Sequence, residues 1–240
     1  SAAMISRCRP EISTKFGTRL VDGKYVHDIS SDWVKRSVEL SLQRMNIDYI
    51  DVLLIHGPQI ADLNDELLEL LESMKNQGII RATGANTFDS EVIYYIADKK
   101  CLDVVMLDYN IVKQNREPQI KRLYDAGIGV VAGQAMAESV FLNDFFRIKS
   151  KKDLWYLART FGRKASRDLF FESRKYRFLN NLEDMDGSQV ALKYVVDNPY
   201  ISTASIGTCN IEHLKKNIDA LNIEIPNEIL GKIKIAFQNK

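Results

Sequence analysis

Cysteine is scarce in this sequence. Cys8, Cys101 and Cys209 are the three in 240 residues. Their odd number and wide spacing argue against a disulfide scaffold and fit a reduced, cytoplasmic protein with inert thiols. Histidine is equally scarce. His27, His56 and His213 show no ligand spacing with the cysteines, so no metal site is expected. Net charge is nearly absent, at a formal +1, which leaves no electrostatic case for nucleic acid or an acidic membrane surface. No apolar run approaches the ~18 residues of a membrane span. The opening residues, SAAMISRCRP, hold no apolar core of signal-peptide length.

What is present is a 45% hydrophobic content, enough for a substantial core, arranged as an alternation. EISTKFG (11–17) reads as a strand and 31–46 as a helix with Val34, Val38, Leu42 and Met45 on one face. YIDVLLIH (49–56) is a second strand, apolar as one covered on both faces should be. Helices are expected over 64–76, 91–99 and 118–125, and strands over 79–84, 103–109 and 129–135. Gly78 marks a helix stop. The stretch 138–185 breaks the pattern: it is long, basic and aromatic, and reads as helices or a large loop. Regularity returns with helix 188–197, strand 202–206, and helices 212–221 and 227–237.

Six βα units in sequence imply a parallel sheet in an α/β fold. No Gly-x-Gly-x-x-Gly follows a strand, so a dinucleotide-binding Rossmann sheet has little support. A TIM (β/α)8 barrel needs eight strands, and the missing two would precede Glu11. The expectation is one domain over 1–240, with 137–186 as a long insertion.

In parallel α/β proteins chemistry gathers at the C-terminal ends of strands. The polar residues there are Lys15, His56, Asn86, Asn110 and Gln134, with Gly207 and Thr208 after the last strand. Each could instead cap a strand or helix. Lys15 and His56, at matching ends of successive apolar strands, form a candidate pair for proton transfer or substrate orientation.

The stretches ISTKFG (12–17), SVELSLQRMNIDYIDVLLIHGP (37–58), GIIRATGANTF (78–88), GIGVVAG (127–133) and SIGTCNIEHLKKNI (205–218) together resemble the aldo-keto reductase family. The run Ser41-Leu42-Gln43-Arg44 followed by DYIDVLLIH is the most specific part. The resemblance implies a (β/α)8 barrel. It also implies reversible reduction of aldehydes, ketones or sugars with NADP (or NAD) and no metal. Lys15 matches the family lysine that lowers the pKa of a proton-donating tyrosine, and His56 matches the histidine that orients the carbonyl. Asn86 and Thr87 stand where the family often holds the nicotinamide amide, and Gln134 lies beside Gly133, where an aromatic often stacks. Gly207, Thr208, Glu212 and Asn217 resemble the loop and helix start that bind the adenosine end, where backbone N–H groups suit a phosphate.

The sequence departs from the family pattern at Gly133, where the aromatic is missing, and in three further places. Met106 stands where a glutamine is usual. Cys209 and Asn210 stand where an arginine often contacts the 2′-phosphate. No Asp or Tyr precedes Glu11, although the family's catalytic pair lies before the lysine strand. Two readings of that last point stay open: a preceding segment supplies the pair, or the protein lacks half the machinery. The second leads to an alternative function, a degenerate family member acting in binding or assembly. Substrate choice is expected in the loops 18–30 and 137–186. Tyr25 lies in the first of these, and nothing in its spacing makes it a proton donor. The stretch 145–178, with basic and aromatic residues interleaved, reads as a substrate-covering segment in preference to a polyanion site. Six strands also leave two open edges, so a homo-oligomer or another partner is expected to cover them.

Overall fold

The computed structural model describes residues 9–137, 155, 158, 161–162 and 164–238. The fold is α/β, with six strands in one sheet ordered β1-β4-β5-β6-β7-β8. The strands are β1 (Ser13–Phe16), β4 (Ile50–His56), β5 (Ile80–Asn86), β6 (Val104–Asp108), β7 (Gly129–Gly133) and β8 (Thr203–Ala204). A separate hairpin joins β2 (Thr18–Val21) to β3 (Lys24–His27). The chain divides into two compact units: Ser1–Leu107 with Gln119–Val130, and Asp108–Pro118 with Val131–Lys240.

In the first unit, helices alternate with strands as the periodicity predicts. They are α1 (Ser31–Met45), α2 (Asp65–Asn76), α3 (Ser90–Lys99) and α4 (Glu117–Asp125), the last of which begins in the second unit. α1 buries Val34 and Val38 and stops at Asn46, whose φ of 51° is left-handed. α2 buries Leu67, Leu71 and Met74, one helical face. Its N-cap is Asn64, whose side chain accepts the Leu67 N–H at 3.0 Å. α3 is capped by Asp89, which accepts the Glu91 N–H at 2.8 Å. The strands between them are buried, Ile50, Leu53, Leu54 and Ile55 of β4 completely or nearly so. Each such side chain contributes roughly 1.5–3 kcal/mol by leaving water.

One buried charge organises the start of this sheet. Asp51 accepts from Arg9 at 2.7 Å, Arg81 at 3.1 Å and the Ile12 N–H at 2.9 Å. The two guanidiniums also flank the Tyr49 ring, each 4.0 Å from its centroid. The carboxylate is thus paired and hydrogen-bonded, as burial requires.

The hairpin was expected as a loop. Its strands are largely exposed on both faces, so no apolar alternation announces them. The turn does: Asp22 and Gly23 both take positive φ, 50° and 75°, the geometry of a type I′ turn in which Asp-Gly is favoured.

The second unit packs its own core. Ile111, Val112, Leu169, Tyr176, Val190 and Ile233 are among its buried members. They join the start of the unit to α5 (Lys164–Ser173), a 3-10 turn (Arg174–Asn181), α6 (Gly187–Val196) and α8 (Asn227–Gln238). α7 (Ile211–Asp219) follows β8. The described part of the 138–185 stretch is helical as far as Asn181, and the rest before it lies outside the described residues, as does much of 145–178. No helix among the described residues is long and apolar enough to cross a membrane.

Candidate active site

In the first unit the strand register brings three of the expected residues together. Lys15 pairs with Leu54 across β1–β4, and His56 pairs with Asn86 across β4–β5. Partners in a ladder share a face, and so do residues two apart on a strand. Leu54 and His56 are two apart, so Lys15, His56 and Asn86 project from one face at the C-terminal end of the sheet. Met106 joins them, paired with Asn86.

Two glycines shape this end. Gly17, at φ 102°, turns the chain out of β1 within 3.5 Å of the His56 backbone nitrogen, measured from where a Cβ would stand. Gly84 sits one row below Asn86, opposite Leu54. A Cβ there would meet the Val104 carbonyl and lie 2.6 Å from Leu54 Cδ2. The Leu54 side chain therefore occupies the space of the absent one and forms an apolar floor under His56 and Asn86.

Lys15 is exposed, not enclosed at the end of a buried strand as EISTKFG suggests, because β1 covers only one apolar position fully, Phe16. His56 is exposed too. Its Nδ1 lies 3.3 Å from Thr18 Oγ1 on the hairpin, which leaves Nε2 facing away from that contact. A second pin holds the hairpin. His27 Nε2 lies 2.9 Å from Asp62 Oδ2, on the turn after β4. Tyr25, on β3, is 82% exposed.

Asn86 is half-buried, and its amide has no hydrogen-bond partner among the described residues. Thr87 differs: it is buried, its hydroxyl accepts the Asp89 N–H at 3.2 Å, and its own N–H donates to the Met106 carbonyl at 3.0 Å. Thr87 builds the turn into α3, and Asn86 is the free amide of the pair.

In the second unit, Asn110 is a structural clamp. It is fully buried; its Oδ1 accepts from Val112 and Lys113 N–H, and its Nδ2 donates to the Gln134 carbonyl at 3.1 Å. Gln134 itself is exposed with a left-handed φ of 54°. Asp108, which no sequence motif singles out, is buried between Lys113 at 2.8 Å and Arg116 at 2.9 Å. Only its place at the end of an apolar strand could have flagged it.

Gly207, Thr208 and Glu212 are exposed around the start of α7. Thr208 Oγ1 accepts the Asn210 N–H at 3.1 Å, and Asn210 caps the helix through the Glu212 N–H at 2.9 Å. Lys215 is paired with Glu212 at 2.9 Å and Lys216 with Asp186 at 3.0 Å. Asn217 is buried and lines a cavity of about 320 Å³ with Ile201, Ser202 and Ile206. Among the described residues, no group of His, Cys, Asp and Glu could hold a metal ion. The free Asn86 amide, the open backbone at Gly207 and the α7 N-terminus are, in kind, donors that suit a carboxamide and a phosphate.

A family model described as the Aldo/keto reductase family matches residues 4–237. An uncharacterized oxidoreductase of Bacillus subtilis, YqkF, is 28% identical over 88% of this chain and 68% of its own. The L-galactose dehydrogenase of Arabidopsis thaliana is 22% identical over 99% of this chain and 73% of its own. Among solved structures, the holo form of aldo-keto reductase AKR11C1 from Bacillus halodurans superposes with a TM-score of 0.76 at 23% identity. That match covers 98% of this chain and 76% of the other.

Proposed function

The chain belongs to the aldo/keto reductase family, and from that premise we propose that it is an NAD(P)H-dependent oxidoreductase, one that reduces an aldehyde, ketone or sugar carbonyl to the alcohol or runs the reverse. The observation that carries this reading is the register placing Lys15, His56 and Asn86 on one face at one strand end. The name of the Arabidopsis relative favours a sugar or sugar-like alcohol as one substrate class.

A bound nicotinamide dinucleotide would supply the hydride. The family resemblance assigns Asn86 to its nicotinamide end, and Gly207, Thr208, Glu212 and Asn217 to its adenosine end. His56 donates a ring N–H to the substrate oxygen. With Thr18 on Nδ1, Nε2 is the nitrogen available for this. The Lys15 ammonium places positive charge on the same face, where negative charge develops on that oxygen and on the acid that protonates it. In the family's pattern that acid is a tyrosine.

A second reading is favoured by Met106. Its thioether, only a weak acceptor, stands opposite Asn86 where an amide would hold the cofactor. On that reading the protein keeps the fold and serves in binding or assembly without hydride transfer.

The full-length protein, melted with and without NADPH or NADH, decides between them. Cofactor at a hundred times its Kd stabilises by about 2.7 kcal/mol, so a clear rise in Tm is expected. Small aldehydes should then consume the reduced cofactor, and Lys15→Met should lower kcat by about 10²–10⁴. No shift in Tm with either cofactor and no turnover would leave the second reading standing.

A further inference from the structure

A cavity of about 380 Å³ in the second unit is lined by none of the residues assigned above. It borders Asp197–Tyr200, on the approach to β8, whereas Gly207 and Thr208 follow that strand. Its size is within the range of small-molecule sites.

The lining has a consistent chemistry. Tyr194 and Tyr200 contribute aromatic surface, with Tyr109 almost fully buried behind them, and no Lys, Arg or His side chain takes part. Two carboxylates do, those of Glu117 and Asp197. Asp197 is answered by Lys193 at 2.9 Å. Glu117, exposed in the first turn of α4, has no cation partner among the described residues, and its Oε1 accepts the Tyr109 O–H at 3.1 Å. Asn198 Nδ2 donates to the same Tyr109 oxygen at 3.1 Å, so the phenol is fixed from both sides. Asp197 is also the C-cap of α6, and the carbonyl end of a helix carries partial negative charge. Burial, and Glu117 beside it, push Tyr194 up to about 12. Burial is likewise the main cause that raises Tyr109. Both rings therefore stay neutral phenols, and the charge of the cavity is that of its carboxylates. Pro199, Ile225 and Leu230 supply an apolar wall.

We propose that this cavity binds a small organic cation, an alkyl- or methylammonium group with an apolar body, held against the tyrosines with Glu117 as its counter-ion. Tyrosine rings attract such a cation through their quadrupole. The carboxylate gives the charge its partner, and the apolar wall receives the alkyl portion. A bare divalent ion would need several more oxygen ligands. An anion would meet two carboxylates and no cation in the lining. The inference does not depend on the oxidoreductase reading, because no residue of the candidate active site takes part.

The test is calorimetric or NMR titration of the full-length protein with choline, and with 3,3-dimethylbutan-1-ol, which has the same shape without the charge. Choline is expected to bind at least about tenfold more tightly than the alcohol. Glu117→Gln should weaken choline about tenfold and leave the alcohol unchanged. Chemical shifts should move at Tyr109, Tyr194 and Tyr200. Equal binding of the two probes, or no saturable choline binding up to about 50 mM, would overturn the proposal. The comparison of the two probes on the unmodified protein needs no variant, so it holds even if Glu117→Gln fails to fold.

Discussion

Asp103 has more partners than its exposed position suggests. It accepts the Thr83 N–H at 2.8 Å and the Thr83 hydroxyl at 3.1 Å, and it pairs with Lys75 at 3.0 Å. Burial pushes its carboxyl up, but the Thr83 N–H and Lys75 outweigh that and hold it below the ordinary 3.8. A carboxylate lowered in the folded state adds stability above its unfolded value and loses it as pH falls through the folded one. Asp103→Asn should therefore cost about 1 kcal/mol at neutral pH, a figure kept small because the group is partly solvated. The difference should shrink as pH drops below 3.8. Urea unfolding of both proteins at neutral and acidic pH measures it. A difference that stays constant across that window would show that the stabilisation does not come from the ionised carboxylate.

At the scale of elements, β5 is the strand with least tolerance. Its sequence IRATGAN is small where Leu54 and the Val104 carbonyl crowd it. Gly84→Ala should destabilise by about 2–3 kcal/mol, since backbone and not a flexible side chain must move. The same substitution at Gly23, where a Cβ would meet nothing within 4 Å, should cost less, from its positive φ alone. Chemical denaturation compares them. A milder loss at Gly84 than at Gly23 would refute the close approach. Most helices were legible for plain reasons. Asn64 and Asp89 announce their starts, Gly78 an end, and the buried residues of α2 repeat at helical spacing. The hairpin escaped because Arg19, Leu20, Lys24 and Tyr25 alternate no apolar face. Asp22-Gly23 alone pointed to it.

For the molecule as a whole, the candidate active site was legible where chemistry follows an apolar run. Lys15, His56 and Asn86 each end or nearly end a strand, and the ladder aligns them. The exposure of Lys15 was not legible, because it depends on what covers β1 and not on β1's own residues. The tyrosine cavity was invisible for a different reason. Tyr109, Glu117, Tyr194 and Asn198 come from separate elements with no common spacing. Asn110, read as a rim candidate, proved to be an internal clamp, a distinction that only its three hydrogen bonds could make.

The strand order has a consequence in time. Among the described residues β1 is four residues long and pairs with β4 alone. β4 is flanked on both sides and almost wholly buried. Amide hydrogens of Leu53, Leu54 and Ile55 should therefore exchange with deuterium near the rate set by global unfolding. Those of β1 should exchange through smaller, far more frequent openings. Equal protection in the two strands would contradict this. His56 then stands on the slow side of the site and Lys15 on the fast side.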